Sequence, residues 1–182
     1  SLIGNYVLQN KKVAVISVDP SSVKHKGALL GDRIRMKDWY LHPSVYIRSL
    51  ASRLHLGGLV KSTHKIVKFL KSTGFDIVIL ETVGVGQSEV EVASVANPTL
   101  LVLVPEAGDD IQMMKSGLFE VANIFVVNKS DRADAKKFLS HLKISLNDRI
   151  QSGEKIGIIE TVANTGQGIE ELDNCIKRFL IQ

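Results

Sequence analysis

A chain of 182 residues that is 45% hydrophobic and 5% aromatic has the length and apolar content of one globular domain with a sizeable core. Its formal charge of +4 arises from 23 basic and 19 acidic residues that are interleaved without a dense Lys/Arg block, which argues against nucleic acid and suits nucleotide phosphates as the anionic partner. The single cysteine, Cys175, excludes an internal disulfide, and no apolar run approaches the roughly 18 to 20 residues of a membrane-spanning helix.

In chain order, Ser1 to Asn10 lacks a basic leader before an apolar core and reads as a helix entered partway along. Val13 to Val18 is a β-branched run of strand length. From Pro20 to His55, with Gly27, Gly31 and Pro43, periodicity is weak, and a mobile loop region is expected instead of a regular element. Leu59, Ile66, Val67 and Leu70 fall at helical spacing, followed by apolar strand runs at Ile77 to Leu80, Leu100 to Val104 and Ile124 to Val127. A second amphipathic stretch carries Ala135, Phe138, Leu139, Leu142 and Leu146. The last strand run is Ile156 to Ile159, and a final helix carries Ile169, Leu172, Ile176, Phe179 and Leu180. The strand runs are too apolar to be half exposed, so they read as buried parallel strands. Alternating strand and helix predicts one α/β domain over residues 1–182. Its mainly parallel sheet is doubly wound, with helices on both faces and ligand sites at the carboxyl ends of the strands.

The residues at those strand ends carry the chemistry. Asn128-Lys129-Ser130-Asp131 directly follows the strand run Ile124 to Val127. A carboxylate at Asp131 can accept from the ring N–H and exocyclic amine of guanine, a donor pair that adenine lacks. Lys129 can lay its stem along a base, and Asn128 can tie neighbouring loops together. The plain alternative is a turn with Asp131 capping a helix. Glu81-Thr82-Val83-Gly84-Val85-Gly86-Gln87-Ser88 follows Ile77 to Leu80; its carboxylate suits a magnesium ion and Gly84 a close approach to phosphate, or the string is a glycine-rich turn before a capped helix. Val18-Asp19-Pro20-Ser21-Ser22 and Gly31-Asp32-Arg33 place two carboxylates around a segment able to close over a metal–nucleotide, although each aspartate alone suits an ordinary turn or cap. Thr161-Val162-Ala163-Asn164-Thr165-Gly166 follows the last strand; it is a source of amides for a base carbonyl or a simple strand-to-helix turn.

Taken together, V-D-P-S-S, L-G-D-R-I-R-M, E-T-V-G-V-G-Q-S-E, G-D-D-I-Q-M-M-K and N-K-S-D resemble the ArgK/MeaB family of SIMIBI-class P-loop GTPases over nearly the whole chain. The resemblance implies a G domain that binds GTP or GDP with Mg2+ and hydrolyses GTP. That activity would assist cobalamin loading, protection or repair of methylmalonyl-CoA mutase or a related mutase. It further implies a homodimer, no nucleic acid or membrane partner, and a cytoplasmic setting, or the mitochondrial matrix in a eukaryote. By the same resemblance, Asp19, Asp32 and Glu81 surround magnesium, and Asp32, Glu81 and Gln87 are the catalytic candidates, with Gln87 placing the attacking water. Gly84 contacts the terminal phosphate, Val85 to Glu89, including Gly86, form a switch, and Gln112 and Lys115 couple a further switch to the mutase. Asn128, Lys129 and Asp131 read guanine, assisted by Val162, Ala163 and Asn164, with Val162 standing where the family has serine.

One departure is large. A phosphate-cradling G-x-x-x-x-G-K-[ST] string is absent from the sequence, and Leu2 to Leu8 resembles the helix downstream of that loop. The expectation is an N-terminally truncated G domain lacking its first strand and P-loop, which by itself binds GTP poorly and is inactive. Two other functions fit parts of the pattern: a nucleotide-incompetent module that binds a mutase, and a SIMIBI-class metallochaperone, which the one cysteine and five scattered histidines disfavour.

Overall fold

The β-branched run after Asn10 folds as the central strand of the N-terminal half in this computed structural model, which describes residues 1–19, 36–51, 56–82, 90–91, 93–105 and 117–181, with backbone alone at 19, 51 and 56–61. Two compact units divide the chain, Leu2–Ala96 and Asn97–Gln182.

The first unit contains helix α1 (Leu2–Leu8), strand β1 (Val13–Asp19), strand β2 (Val45–Ala51), helix α2 (Leu56–Ser72) and strand β3 (Ile77–Thr82). The strands form a parallel sheet in the order β2-β1-β3, with Val13 opposite both Val45 and Ile77. Parallel strands buried on both faces need apolar residues at consecutive positions, and β1 supplies them. Ala14, Ile16 and Val18 pack with Leu70 and Ile66 of α2 and with Leu50, Val78 and Leu80. The alternate residues Val13 and Val15 pack with Tyr6 of α1, Leu2, Ile3, Met36, Ile47, Ile77 and Ile79. The period-2 side-chain alternation of a strand thus feeds two cores, one under each helix.

Strand β2 corrects the expectation of a loop across Pro20 to His55. Val45-Tyr46-Ile47-Arg48-Ser49-Leu50-Ala51 lacks a continuous apolar run because it lies at the end of the sheet. Ile47 joins the α1-side core, Leu50 joins the α2-side core, and Tyr46 meets Phe75 with ring centroids 6.0 Å apart. Val45, Tyr46 and Ile47 favour a strand locally, and pairing with β1 carries the element on through Arg48 and Ser49 to Ala51.

The second unit contains strand β4 (Leu100–Leu103), helix α3 (Gly117–Val121), strand β5 (Ile124–Asn128), helices α4 (Ala135–Ser145) and α5 (Asn147–Gln151), strand β6 (Gly157–Thr161) and helix α6 (Ile169–Leu180). Its parallel sheet has the order β4-β5-β6. Ile124 and its partner Gly157 face Cys175 of α6; a Cβ on Gly157 would lie 2.6 Å from the Cys175 sulfur, so a glycine lets the helix sit close. On the other face Phe125 meets Phe119 of α3, centroids 5.0 Å apart. Arg149 of α5 donates to the carbonyls of Phe119 at 2.6 Å and Ala122 at 3.1 Å and pairs with Glu154 at 2.6 Å, satisfying carbonyls at the end of a short helix. Helices therefore cover both faces of each parallel sheet, the doubly wound pattern expected from the alternation of elements.

Helix α6 follows its sequence stripe, with Ile169, Leu172, Cys175, Ile176 and Phe179 buried. Acidic Glu170 and Glu171 lie in its first turn and basic Lys177 and Arg178 in its last, complementing the helix dipole. Leu180, expected on the stripe, is half exposed at the helix end. Two end strands also depart from expectation. Every residue of β3 is only partly buried, and Val102 of β4 is 56% exposed. Within the described sheets, each of these strands pairs along one side alone.

Candidate functional site

Parallel pairing brings the ends of β5 and β6 together, with Asn128 directly opposite Thr161. Beyond Asn128 the chain turns through Lys129 in the left-handed region, φ 57°, a conformation that a bulky residue adopts only when its surroundings hold it. The turn continues with the Arg132 amide donating to the Lys129 carbonyl and the Ala135 amide to the Arg132 carbonyl, and it delivers the chain into α4. Asp134 occupies the N-cap of α4, so the alternative in which Asp131 caps that helix is removed.

Four hydrogen bonds join this turn to the end of β6. The Asn128 side-chain oxygen accepts from the Thr161 hydroxyl at 3.2 Å and from the Ala163 amide at 3.1 Å. A backbone N–H can only donate, which fixes the orientation of the Asn128 carboxamide with its oxygen toward β6 and its NH2 on the other side. The Thr161 carbonyl accepts from both the Ser130 amide at 3.1 Å and the Ser130 hydroxyl at 3.2 Å. After Thr161, the loop closes on itself: the Val162 amide donates to the Gln167 carbonyl, and the Val162 carbonyl accepts from the amides of Thr165 and Gly166. Gly168 then starts α6 with φ 76°, where a Cβ would collide with the Glu160 carbonyl, so only glycine fits that join. Since the loop turns through its backbone, valine is accommodated at position 162, where a serine had been expected.

Between the two loops lies an open pocket of about 120 Å³ lined by Asn128, Lys129, Asp131, Arg132, Val162, Ala163 and Asn164. It gathers a carboxylate, an oriented carboxamide, two cationic side chains and a segment of backbone amides, the donor and acceptor set that a planar heterocycle with N–H, amine and carbonyl edges requires. The chemistry of these residues fits a guanine base. Six of the seven residues are those singled out from the sequence; Arg132 was missed because an arginine after an aspartate carries no pattern of its own. Thr161 was read as the first loop residue, whereas it completes β6 with only 1% of its surface exposed.

In the first unit, β1 ends at Asp19, and β3 carries Glu81 one residue before its end. Glu81 is registered against Ser17, and Asp19 follows two residues later on the same strand, so both carboxylate residues occupy the carboxyl ends of adjacent parallel strands. Glu81 is part buried, with its Oε2 sealed from solvent. Carboxylates at such strand ends fit magnesium, which takes one or two of them alongside phosphate and water oxygens. Asp32, Gly84, Val85, Gly86, Gln87, Gln112 and Lys115 lie outside the described residues. No helix among the described residues is long and apolar enough to cross a membrane.

Residues 1–181 match the family described as "Methylmalonyl Co-A mutase-associated GTPase MeaB". A relative from Pyrococcus horikoshii is 49% identical over 169 residues, which make up 91% of this chain and 53% of the relative. The mouse methylmalonic aciduria type A homolog, mitochondrial, is 35% identical over 178 residues, 94% of this chain and 42% of its own length. This chain therefore spans about half the length of such relatives. Among solved structures, the hydrogenase maturation factor HypB of Archaeoglobus fulgidus superposes with a TM-score of 0.65 at 19% identity, covering 98% of this chain and 82% of HypB. That likeness shows the fold alone, a parallel α/β fold.

Proposed function

We propose, from the premise that this chain belongs to the MeaB family of methylmalonyl-CoA mutase-associated GTPases, that the protein binds GTP and GDP with Mg2+, hydrolyses GTP and acts on a cobalamin-dependent acyl-CoA mutase. The observation that carries the nucleotide part is the convergence of Asn128, Lys129 and Asp131 with Val162, Ala163 and Asn164 around one pocket. In this reading Asp131 accepts from the two guanine N–H groups, the Asn128 NH2 donates to the base, and amides of the 162–164 segment face the base carbonyl. Magnesium would be held by Asp19, Asp32 and Glu81, where it supplies charge neutralisation for the transferring phosphoryl group. Gly84 to Gln87 would form the phosphate-sensing segment, with Gln87 orienting water. Gln112 and Lys115 would transmit the partner's influence. The mutase role, in which nucleotide hydrolysis gates cobalamin loading, protection or repair, rests on family membership, as does a homodimeric state.

Because the relatives are longer, the fair test material is a protein of their full length. Calorimetric titration of that protein with GDP and Mg2+ should give micromolar affinity and a marked preference over ADP, and the GTPase rate should change when a methylmalonyl-CoA mutase is added. Equal affinity for GDP and ADP rejects the guanine reading; an unresponsive GTPase rate rejects the mutase role. The 182-residue chain alone should bind more weakly, since no phosphate-cradling string is present in it.

A further inference from the structure

Asp131, the residue proposed above to discriminate guanine from adenine, is exposed on a turn. Its distance from a base therefore depends on what holds that turn. The turn begins with a lysine in the left-handed region, φ 57°, and such a conformation persists only when neighbouring contacts over-determine it. Ser130 lies between that lysine and Asp131, at the variable position of the N-K-x-D pattern. Its amide at 3.1 Å and its hydroxyl at 3.2 Å both donate to the Thr161 carbonyl. A carbonyl has two lone pairs and can accept both donors. Thr161 is buried at the end of β6, so the turn is fastened to a paired and packed strand residue.

We propose that Ser130 is a positioning residue that sets guanine selectivity by holding Asp131 at its working distance. This inference rests on the guanine reading of Asp131. Removing the hydroxyl leaves the amide bond in place but releases one of the two ties, so the carboxylate samples positions farther from the base. Only a base that donates to the carboxylate is affected. GDP binding should weaken while ADP binding does not, whereas a general loss of folding would weaken both.

The test is the ratio of GDP to ADP affinity in the full-length protein with Mg2+. Ser130→Ala should lower the ratio by about three- to tenfold, the range for loss of one neutral hydrogen bond, and Ser130→Thr, which keeps the hydroxyl, should restore it. An unchanged ratio in S130A overturns the assignment and leaves the guanine reading standing. A wild-type protein with no GDP preference, indistinguishable from Asp131→Asn, overturns both. A measurement free of any variant uses hydrogen exchange. The Ser130 amide should exchange well below its unprotected rate in the unaltered protein, and exchange at that rate overturns the clamp even if S130A fails to fold.

Discussion

At the scale of single residues, Asp76 shows how a carboxylate with no part in the proposed chemistry supports the fold. Its Oδ2 accepts from the Lys12 amide at 2.8 Å and its Oδ1 lies 3.7 Å from the Lys11 ammonium, joining the entry of β1 to the entry of β3. The hydrogen bond from the Lys12 amide outweighs an opposing desolvation and, with the charge of Lys11 adding to it, holds the Asp76 carboxyl below its usual range. A carboxyl whose folded pKa is depressed stabilises the fold above its unfolded value, about 3.9, and that contribution fades as pH falls through the lowered value. Asp76→Asn should therefore be less stable than the parent at neutral pH, with the gap closing as pH drops below about 4. Chemical denaturation of both proteins across that range checks it, and a gap independent of pH would refute the electrostatic account.

For the elements, the docking of α6 on β6 turns on atom-scale fit. Gly157 leaves no room for a methyl group, since a Cβ would meet Cys175 Sγ at 2.6 Å and Ile124 Cγ1 at 3.4 Å. Alanine in place of glycine gains roughly 0.5–1 kcal/mol of backbone entropy within a strand, whereas overpacking a close-packed core costs about 1–3 kcal/mol. Overpacking wins, and Gly157→Ala should lose about 1–2 kcal/mol in urea unfolding. Cys175→Ala, introduced together with it, should recover part of that loss, because the clash is with the sulfur. Additive losses in the double variant would place the strain elsewhere.

For the whole molecule, the two compact units carry different parts of the proposed chemistry: the pocket proposed for the base lies within Asn97–Gln182, and the strand ends with Asp19 and Glu81 lie within Leu2–Ala96. A ligand with a base but no phosphates should therefore mark one set alone. Saturating guanosine should slow amide exchange at Lys129 to Asp131 and Val162 to Gln167 and leave the ends of β1 and β3 unchanged, while GDP with Mg2+ should slow both sets. Protection of β1 and β3 by guanosine, or its absence from the two loops, would contradict this division.

Much of this organisation was legible in the sequence because it is written in local patterns. Five of the six described strands declared themselves as short β-branched or aliphatic runs, α6 by a stripe of one face, and the loop proposed to read the base by N-K-S-D after a strand. Strand β2 was not legible, because an end strand with Tyr46, Arg48 and Ser49 satisfies its period only when β1 is beside it. Nor did periodicity extend β6 to Thr161, whose polar side chain ends an apolar run yet is buried against Asn128. The sequence by itself determined the α/β class, the family and the residue types able to read a purine and hold magnesium, since these depend on composition, period and short-range spacing. Tertiary structure alone decided that Asp134 and not Asp131 caps α4, that the Asn128 carboxamide turns its oxygen to β6, and that Ser130 is fastened to Thr161. The first follows from the local turn through Lys129 to Ala135, whereas the other two depend on hydrogen bonds between residues about 30 positions apart, which form only when parallel pairing brings two strand ends side by side.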